Sequence, residues 1–245
     1  MNFLGKAKNI LRRTIDCIFP RCCVICNGKS DLGEYCNLCS SCIAKIPWIR
    51  GPRCSICSRP MGDGDGELIC AGCKANAPHF RSGISCWLHT GTGRDIILAL
   101  KYRNADFLKK DIGVLLKNNN PEICEFASDS SLVPVPIHYF RRVKRGYNQA
   151  EVIAQAIAKI SSGSVVVNAL KSKNKKSQTK LKSGERLLNV KNMFECSAES
   201  DGMAKSRRVV LVDDVSTTGA TVRECCRVLY GAGFENLHVL TLARG

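Results

Sequence analysis

The chain has 245 residues, enough for one full-sized domain and a smaller one. Its 44% hydrophobic and 24% charged content excludes a disordered protein, and the lack of any run of 18 apolar residues excludes a membrane-spanning helix. A net charge of +16 calls for a polyanionic partner, and 16 cysteines call for metal ligation in a reducing compartment rather than a disulfide framework.

In chain order, Met1–Asp16 carries Lys6, Lys8, Arg12 and Arg13 spread along it, without the continuous apolar core or small-residue cleavage site of a secretory signal. A cytoplasmic location is therefore expected. Residues 1–16 are expected to form a helix, and the basic amphipathic stretch Asn2–Phe19 suits packing on the protein better than membrane contact.

The cysteines follow as a repeat. Cys23-x2-Cys26-x12-Cys39-x2-Cys42 recurs as Cys54-x2-Cys57-x12-Cys70-x2-Cys73, every position displaced by 31 residues. A CxxC turn sets two thiolates on one side of a knuckle, and two knuckles close a tetrahedron around Zn²⁺. Two Zn(Cys)₄ sites within residues 17–80 are expected, structural because protein fills all four positions. The spacing leaves interleaved ligation open, with Cys23 and Cys26 pairing with Cys54 and Cys57. Metallation lowers the formal charge to about +12 and makes the ribbons mildly acidic, which suits stapling or partner docking better than gripping nucleic acid. Cys17, Cys22, Cys36, Cys86, Cys124, Cys196, Cys225 and Cys226 are expected to be small buried hydrophobes.

Over residues 81–245 strands and helices alternate. Gly83–Leu88 reads as a strand, Gly93–Tyr102 and Ala105–Lys117 as helices, Asn118–Pro121 as a stop, and Leu132–Ile137 as a strand. Tyr147–Ile160 reads as a helix, Ser164–Asn168 as a strand and Lys171–Val190 as a long mobile loop. Arg208–Asp213 is an apolar strand of the kind buried in a parallel sheet, Gly219–Tyr230 a helix, and Leu237–Leu242 a last strand. Such alternation predicts a doubly wound α/β sheet with ligands beyond the carboxyl ends of its strands. Between His138 and Lys191, thirteen Lys/Arg face only Glu151 and Glu185, a local net of +11 that predicts a nucleic acid or a phosphorylated metabolite. Only Tyr139, Phe140 and Tyr147 interleave with this run, thin support for base stacking.

The most informative segment is Val209–Thr221, VVLVDDVSTTGAT. An apolar strand ends in Asp213 and Asp214, and a Ser-Thr-Thr-Gly turn then opens a helix whose free N–H groups form an anion site. Gly219 lets the backbone approach a phosphate, and Thr217, Thr218 and Thr221 add hydroxyl donors. Two adjacent carboxylates suit the vicinal hydroxyls of a ribose, directly or through Mg²⁺. No GxxxxGK[ST] and no GxGxxG is present, so nucleotide hydrolysis and dinucleotide binding find no support, and Gly91-Thr92-Gly93 is too short to count.

This segment resembles the PRPP-binding signature of type I phosphoribosyltransferases. With the cysteine pairs, LALKYRN (Leu98–Asn104), VPVPIHYFRRVKRGYNQA (Val133–Ala150), SQTKLKSGERLLNV (Ser177–Val190) and the ending LTLARG, the chain resembles the ComF/ComFC family of competence-related proteins over nearly its whole length. The resemblance implies a type I phosphoribosyltransferase fold preceded by a small double zinc ribbon. It implies that Asp213 and Asp214 bind ribose hydroxyls and, with Arg186, serve catalysis, Arg186 lying where related enzymes carry the loop that closes over the site. Thr217, Thr218, Gly219, Ala220 and Thr221 would hold the 5-phosphate of PRPP, with Mg²⁺. Arg141, Arg145 and Asn148 would stand on the pyrophosphate side, and Arg141, Arg142, Lys144 and Arg145 would meet single-stranded DNA. The family's association with competence implies a role in natural transformation and DNA uptake, with a helicase-like protein as a further partner. The alternative is a working phosphoribosyltransferase acting on an unidentified base or amine, without a DNA role. No base-specificity element identifies the acceptor.

Overall fold

The computed structural model describes residues 21–30, 35–62, 68–102, 105–173 and 192–245. The expected helix at 1–16, Cys17 and Arg186 lie outside them, as does most of the expected loop 171–190.

The 31-residue repeat is a repeat of backbone as well as of ligands. In each ribbon the first knuckle turns through a left-handed residue, Asn27 and Ser58, both at φ 58°. The amide of each donates to the first cysteine's carbonyl, Cys23 or Cys54, at 2.8 Å in both. The strand-like bridges Cys22–Lys29 and Arg53–Pro60 keep the same offset. Each second knuckle opens a short helix, α1 (Ser40–Ala44) after Cys39 and α2 (Ala71–Ala75) after Cys70.

The α/β part runs β1 (Ser82–Leu88), α3 (Gly91–Tyr102), a 3₁₀ turn (Ala105–Leu108), α4 (Lys109–Asn119), α5 (Glu122–Ala127), β2 (Ser131–Pro134), α6 (Tyr139–Arg145), α7 (Gln149–Ala158) and β3 (Val165–Val166). After β4 (Leu170–Ser172) and β5 (Phe194–Cys196) come β6 (Val209–Ser216), α8 (Ala220–Gly231) and β7 (Leu237–Arg244). The main sheet has the order β1-β7-β6-β2-β3, with every neighbouring pair parallel. Alternation along β6 explains its unbroken apolar run. Val210 and Val212 pack into the cluster beneath α3, α4 and α7, while Val209 and Leu211 pack into the cluster beneath α8.

Several expected boundaries move. The strand expected over Leu132–Ile137 ends at Pro134, although the Val135 amide still donates to the Val212 carbonyl at 2.8 Å. Lys171 and Ser172, expected in the loop, belong to β4, which pairs antiparallel with β5. Helices α5 and α6 lie where the sequence reading placed none, both too short to show a period. Among the cysteines outside the repeat, Cys86, Cys225 and Cys226 are buried as expected, but Cys22 is exposed and Cys36, Cys124 and Cys196 are only partly covered.

His238 at the start of β7 gives a pH signature. Its Nε2 lies 3.1 Å from Asn236 Oδ1 and its Nδ1 lies 2.8 Å from Ser82 Oγ, partners that the neutral ring satisfies by donating at Nε2 and accepting at Nδ1. Burial, then the cations Arg208 and Arg81, push its pKa down to about 4. With the folded value below the unfolded one, nothing is lost at pH 7. As pH falls through 6.5 the unfolded chain takes up a proton that the folded chain refuses. Denaturation midpoints at pH 7, 6 and 5 should show about 2 kcal/mol lost between pH 6.5 and 5 from this site, a loss absent in His238→Gln.

Candidate functional site

The carboxyl ends of β1, β2 and β6 open into a cleft of 1080 Å³. Asp213 and Asp214 stand at the end of β6, each carboxylate accepting the amide of the next residue: Asp214 N to Asp213 Oδ1 at 2.8 Å, and Val215 N to Asp214 Oδ1 at 2.9 Å. Burial, then the neighbouring Asp214 charge, push Asp213 well above the usual carboxylate range. The pair is thus a crowded acidic corner, and cations or hydroxyl donors relieve such a corner.

A cation already reaches it. Lys101, near the end of α3, places Nζ 2.6 Å from Asp214 Oδ2. The next residues bring α7 to the same place, where the Tyr147 hydroxyl donates to the Leu100 carbonyl at 2.5 Å. His89, just after β1, also lines the cleft. Its Nε2 is buried without a hydrogen-bond partner among the described residues. Burial, then the Lys101 charge, lowers its proton affinity and favours the neutral ring.

The turn after Ser216 has the backbone that an anion site needs. Gly219 sits at φ 78° as the N-cap of α8, a left-handed position that glycine takes without strain. It offers no side chain to the helix's first amides, and the Ala220 amide donates only a 3.3 Å bond to Thr218 Oγ1. Thr217 and Thr221 line the main cleft, whereas Thr218 and Gly219 line a smaller cavity behind the turn.

The basic wall is α6. Arg141, Lys144 and Arg145 line the cleft. Arg142 does not, and reaches Glu151 at 3.8 Å instead. Asn148 does line the cleft, but its side chain is committed to the fold, donating to the Val135 carbonyl at 3.0 Å and accepting the Ala150 amide at 3.2 Å as the cap of α7. Sequence reasoning missed Lys101 and His89. Lys101 lies inside the LALKYRN motif, which carried the only available signal.

The eight repeat cysteines form two tetrads, Cys23/Cys26/Cys39/Cys42 and Cys54/Cys57/Cys70/Cys73, each with all four sulfurs within 4.8 Å of one another. This settles the ligation as sequential and removes the interleaved alternative. The Cys26–Cys39 and Cys57–Cys70 sulfur separations, 3.7 and 3.6 Å, match the roughly 3.8 Å edge of a tetrahedron with Zn–S bonds of about 2.3 Å. The residues therefore fit two structural Zn²⁺ ions.

Known proteins agree with this architecture. The double zinc ribbon domain family matches residues 14–74, and the phosphoribosyl transferase domain family matches residues 130–245. Competence protein F of Haemophilus influenzae is 28% identical over 226 residues, spanning 91% of this chain and 96% of that protein. Competence protein ComFC of Bacillus subtilis is 28% identical over 212 residues, spanning 80% and 79%. DNA utilization protein YhgH of Escherichia coli is 25% identical over 232 residues, spanning 92% and 97%. A crystal structure of a hypoxanthine phosphoribosyltransferase from Staphylococcus aureus superposes with a TM-score of 0.35 at 17% identity, covering 56% of this chain and 64% of that one, too loosely to carry an argument.

Proposed function

The chain belongs to the ComF/ComFC family, a double zinc ribbon joined to a phosphoribosyl transferase domain, and from that premise we propose that it binds PRPP with Mg²⁺ and works on incoming single-stranded DNA in natural transformation. One observation carries the first half: Asp213, Asp214, Thr217 and Thr221 share a single cleft with Arg141, Lys144 and Arg145. The carboxylates take the ribose hydroxyls or Mg²⁺, the turn takes the 5-phosphate, and the guanidinium forks take the pyrophosphate. Calorimetric titration of PRPP with and without Mg²⁺ tests it, and an isotherm showing no Mg²⁺-dependent binding rejects it.

The second half rests on the outer lip of the same cleft. Tyr102, Tyr139 and Phe140 are 68%, 58% and 71% exposed, far more than side chains held for packing. The Arg145 guanidinium lies 5.4 Å from the Tyr102 ring centre, which sets a cation beside an exposed aromatic face on the lip. Base faces stack on such rings while the phosphates meet the cations. The structure thus changes the aromatic inventory: Tyr147 is turned inward to Leu100, and Tyr102 takes its place.

Replacing Arg141, Lys144 and Arg145 together by alanine should weaken binding of a short single strand at least 10-fold. The slope of log affinity against log salt should flatten by about 2, three lost phosphate contacts at roughly 0.7 each. Fluorescence anisotropy across a salt series reads both, and an unchanged slope excludes α6 as the contact. The aromatic lip makes Phe140→Ala a separate probe, with a loss near 1–3 kcal/mol expected if one base stacks there.

A further inference from the structure

Behind the phosphate turn, away from the main cleft, lies a smaller cavity of 180 Å³. Cys57 and Cys73 of the second tetrad form one wall, Ser216 and Gly219 the other, with Arg223 and Arg244 between them. Arg244 ends β7 directly opposite Ser216 in the sheet register. It is only 5% exposed. Its Nη1 donates to Ser216 Oγ at 2.9 Å and to the Cys57 carbonyl at 3.4 Å, and its Nη2 lies 3.9 Å from Cys57 Sγ. The following amide, Gly245 N, donates to the Ser216 carbonyl at 3.1 Å. Arg223, one turn into α8, donates to the Asn76 carbonyl at 2.6 Å and reaches Cys73 Sγ at 3.5 Å.

A buried guanidinium needs a counter-charge. Among the described residues, no carboxylate makes a salt bridge with Arg223 or Arg244. Four thiolates around Zn²⁺ carry −2 and supply it. We infer that Arg244 and Arg223 are positioning residues that join the second Cys₄ centre to the phosphate turn, so that metal retention at this centre and ribose-phosphate binding at the turn strengthen one another. The inference rests on the turn being a ribose-phosphate site. The first tetrad is the internal control, because its ribbon is fastened through Asp111 of α4, which accepts the Cys36 amide at 2.5 Å and the Asn37 side-chain amide at 2.7 Å.

Coupling of two sites is reciprocal, so it is readable from the metal side without any assay of activity. Pulsed alkylation of the full-length, zinc-loaded protein, read by mass spectrometry, follows Cys54, Cys57, Cys70 and Cys73 separately from Cys23, Cys26, Cys39 and Cys42. PRPP with Mg²⁺ should slow alkylation of the second set several-fold and leave the first set unchanged. Arg244→Gln should speed alkylation of the second set about 10- to 100-fold, the usual range for loss of an outer-sphere partner, and weaken PRPP binding at least 10-fold. If Arg244→Gln does not fold, Arg223→Gln carries the same reading from the half-exposed side. Equal alkylation of both sets in variant and parent overturns the inference, as does unchanged PRPP affinity in the variant. A parent protein that binds no PRPP overturns the ribose-phosphate site itself, and the coupling with it.

Discussion

Asp213→Asn combined with Asp214→Asn should reduce Mg²⁺-dependent PRPP affinity by at least about 100-fold while leaving the fold at least as stable as the parent. The substitutions keep shape and hydrogen-bonding capacity but remove the charge that vicinal hydroxyls and a divalent cation recognise. Hydrogen bonds to a charged acceptor are worth about 1.5–3 kcal/mol each, so losing the charge on two carboxylates amounts to two or more decades. Stability moves the other way. Burial and the Asp214 charge hold Asp213 well above its ordinary pKa, so its ionised form is a net cost to the folded chain at pH 7. Removing it relieves that cost, the usual trade between a strained site and its scaffold. Lys101 loses its 2.6 Å partner in the variant and is free to turn to solvent, being partly exposed already. Calorimetry gives the affinity and thermal melting gives the stability. Affinity within threefold of the parent would remove the carboxylates from the site, and a large drop in melting temperature would make their role structural.

The parts of this site that could be read in advance are those whose chemistry is local in sequence. The apolar strand, the acidic pair and the Thr-Thr-Gly turn are contiguous, and the structure keeps them together because β6 runs straight into α8. The cysteine ligands could be read because their repeat is exact at four positions, and Asn27 and Ser58 extend that repeat to backbone conformation. What could not be read depends on residues distant in sequence meeting in space. Lys101 belongs to a helix whose period announces only its buried face, and its partner Asp214 arrives from a different element. Arg142 and Arg145 look alike in a basic run, yet α6 turns one toward Glu151 and the other toward the cleft. Gly91-Thr92-Gly93 is too short to count as a phosphate loop, and no periodicity shows why Gly93 matters. A Cβ there would stand 2.4 Å from the Trp87 ring and 2.6 Å from the Leu88 carbonyl.

The largest stability effect is expected at the first zinc centre. Cys23→Ser should lower zinc content from two to one per chain and lower the melting temperature by about 10–20 °C in a single cooperative transition. The reason is that this ribbon is not an appendage. Cys23, Leu38, Cys39, Cys42 and Ile46 belong to the same apolar cluster as Trp87, Leu108 and Leu116 of the α/β part. Trp48 meets Trp87 edge to face at 5.5 Å, and backbone bonds run both ways, from Ile49 N to the Cys86 carbonyl at 2.9 Å and from Leu88 N to the Pro47 carbonyl at 2.8 Å. Asp111, fully buried, accepts from the Cys36 amide and the Asn37 side chain, so a loosened ribbon takes both of these donors from a buried carboxylate. Hydrogen bonds to a charged acceptor are worth about 1.5–3 kcal/mol each, so losing the two that Asp111 accepts costs about 3–6 kcal/mol, and the uncovered apolar face adds to it. At about 2–4 °C per kcal/mol for a chain of this size, the shift follows. Differential scanning calorimetry with metal analysis decides it. Two separate transitions, or a shift below about 3 °C, would mean that the ribbon folds on its own account and that the shared cluster contributes little to holding the sheet. One transition at the lower temperature would mean that the metal is part of the core on which the phosphate turn is built.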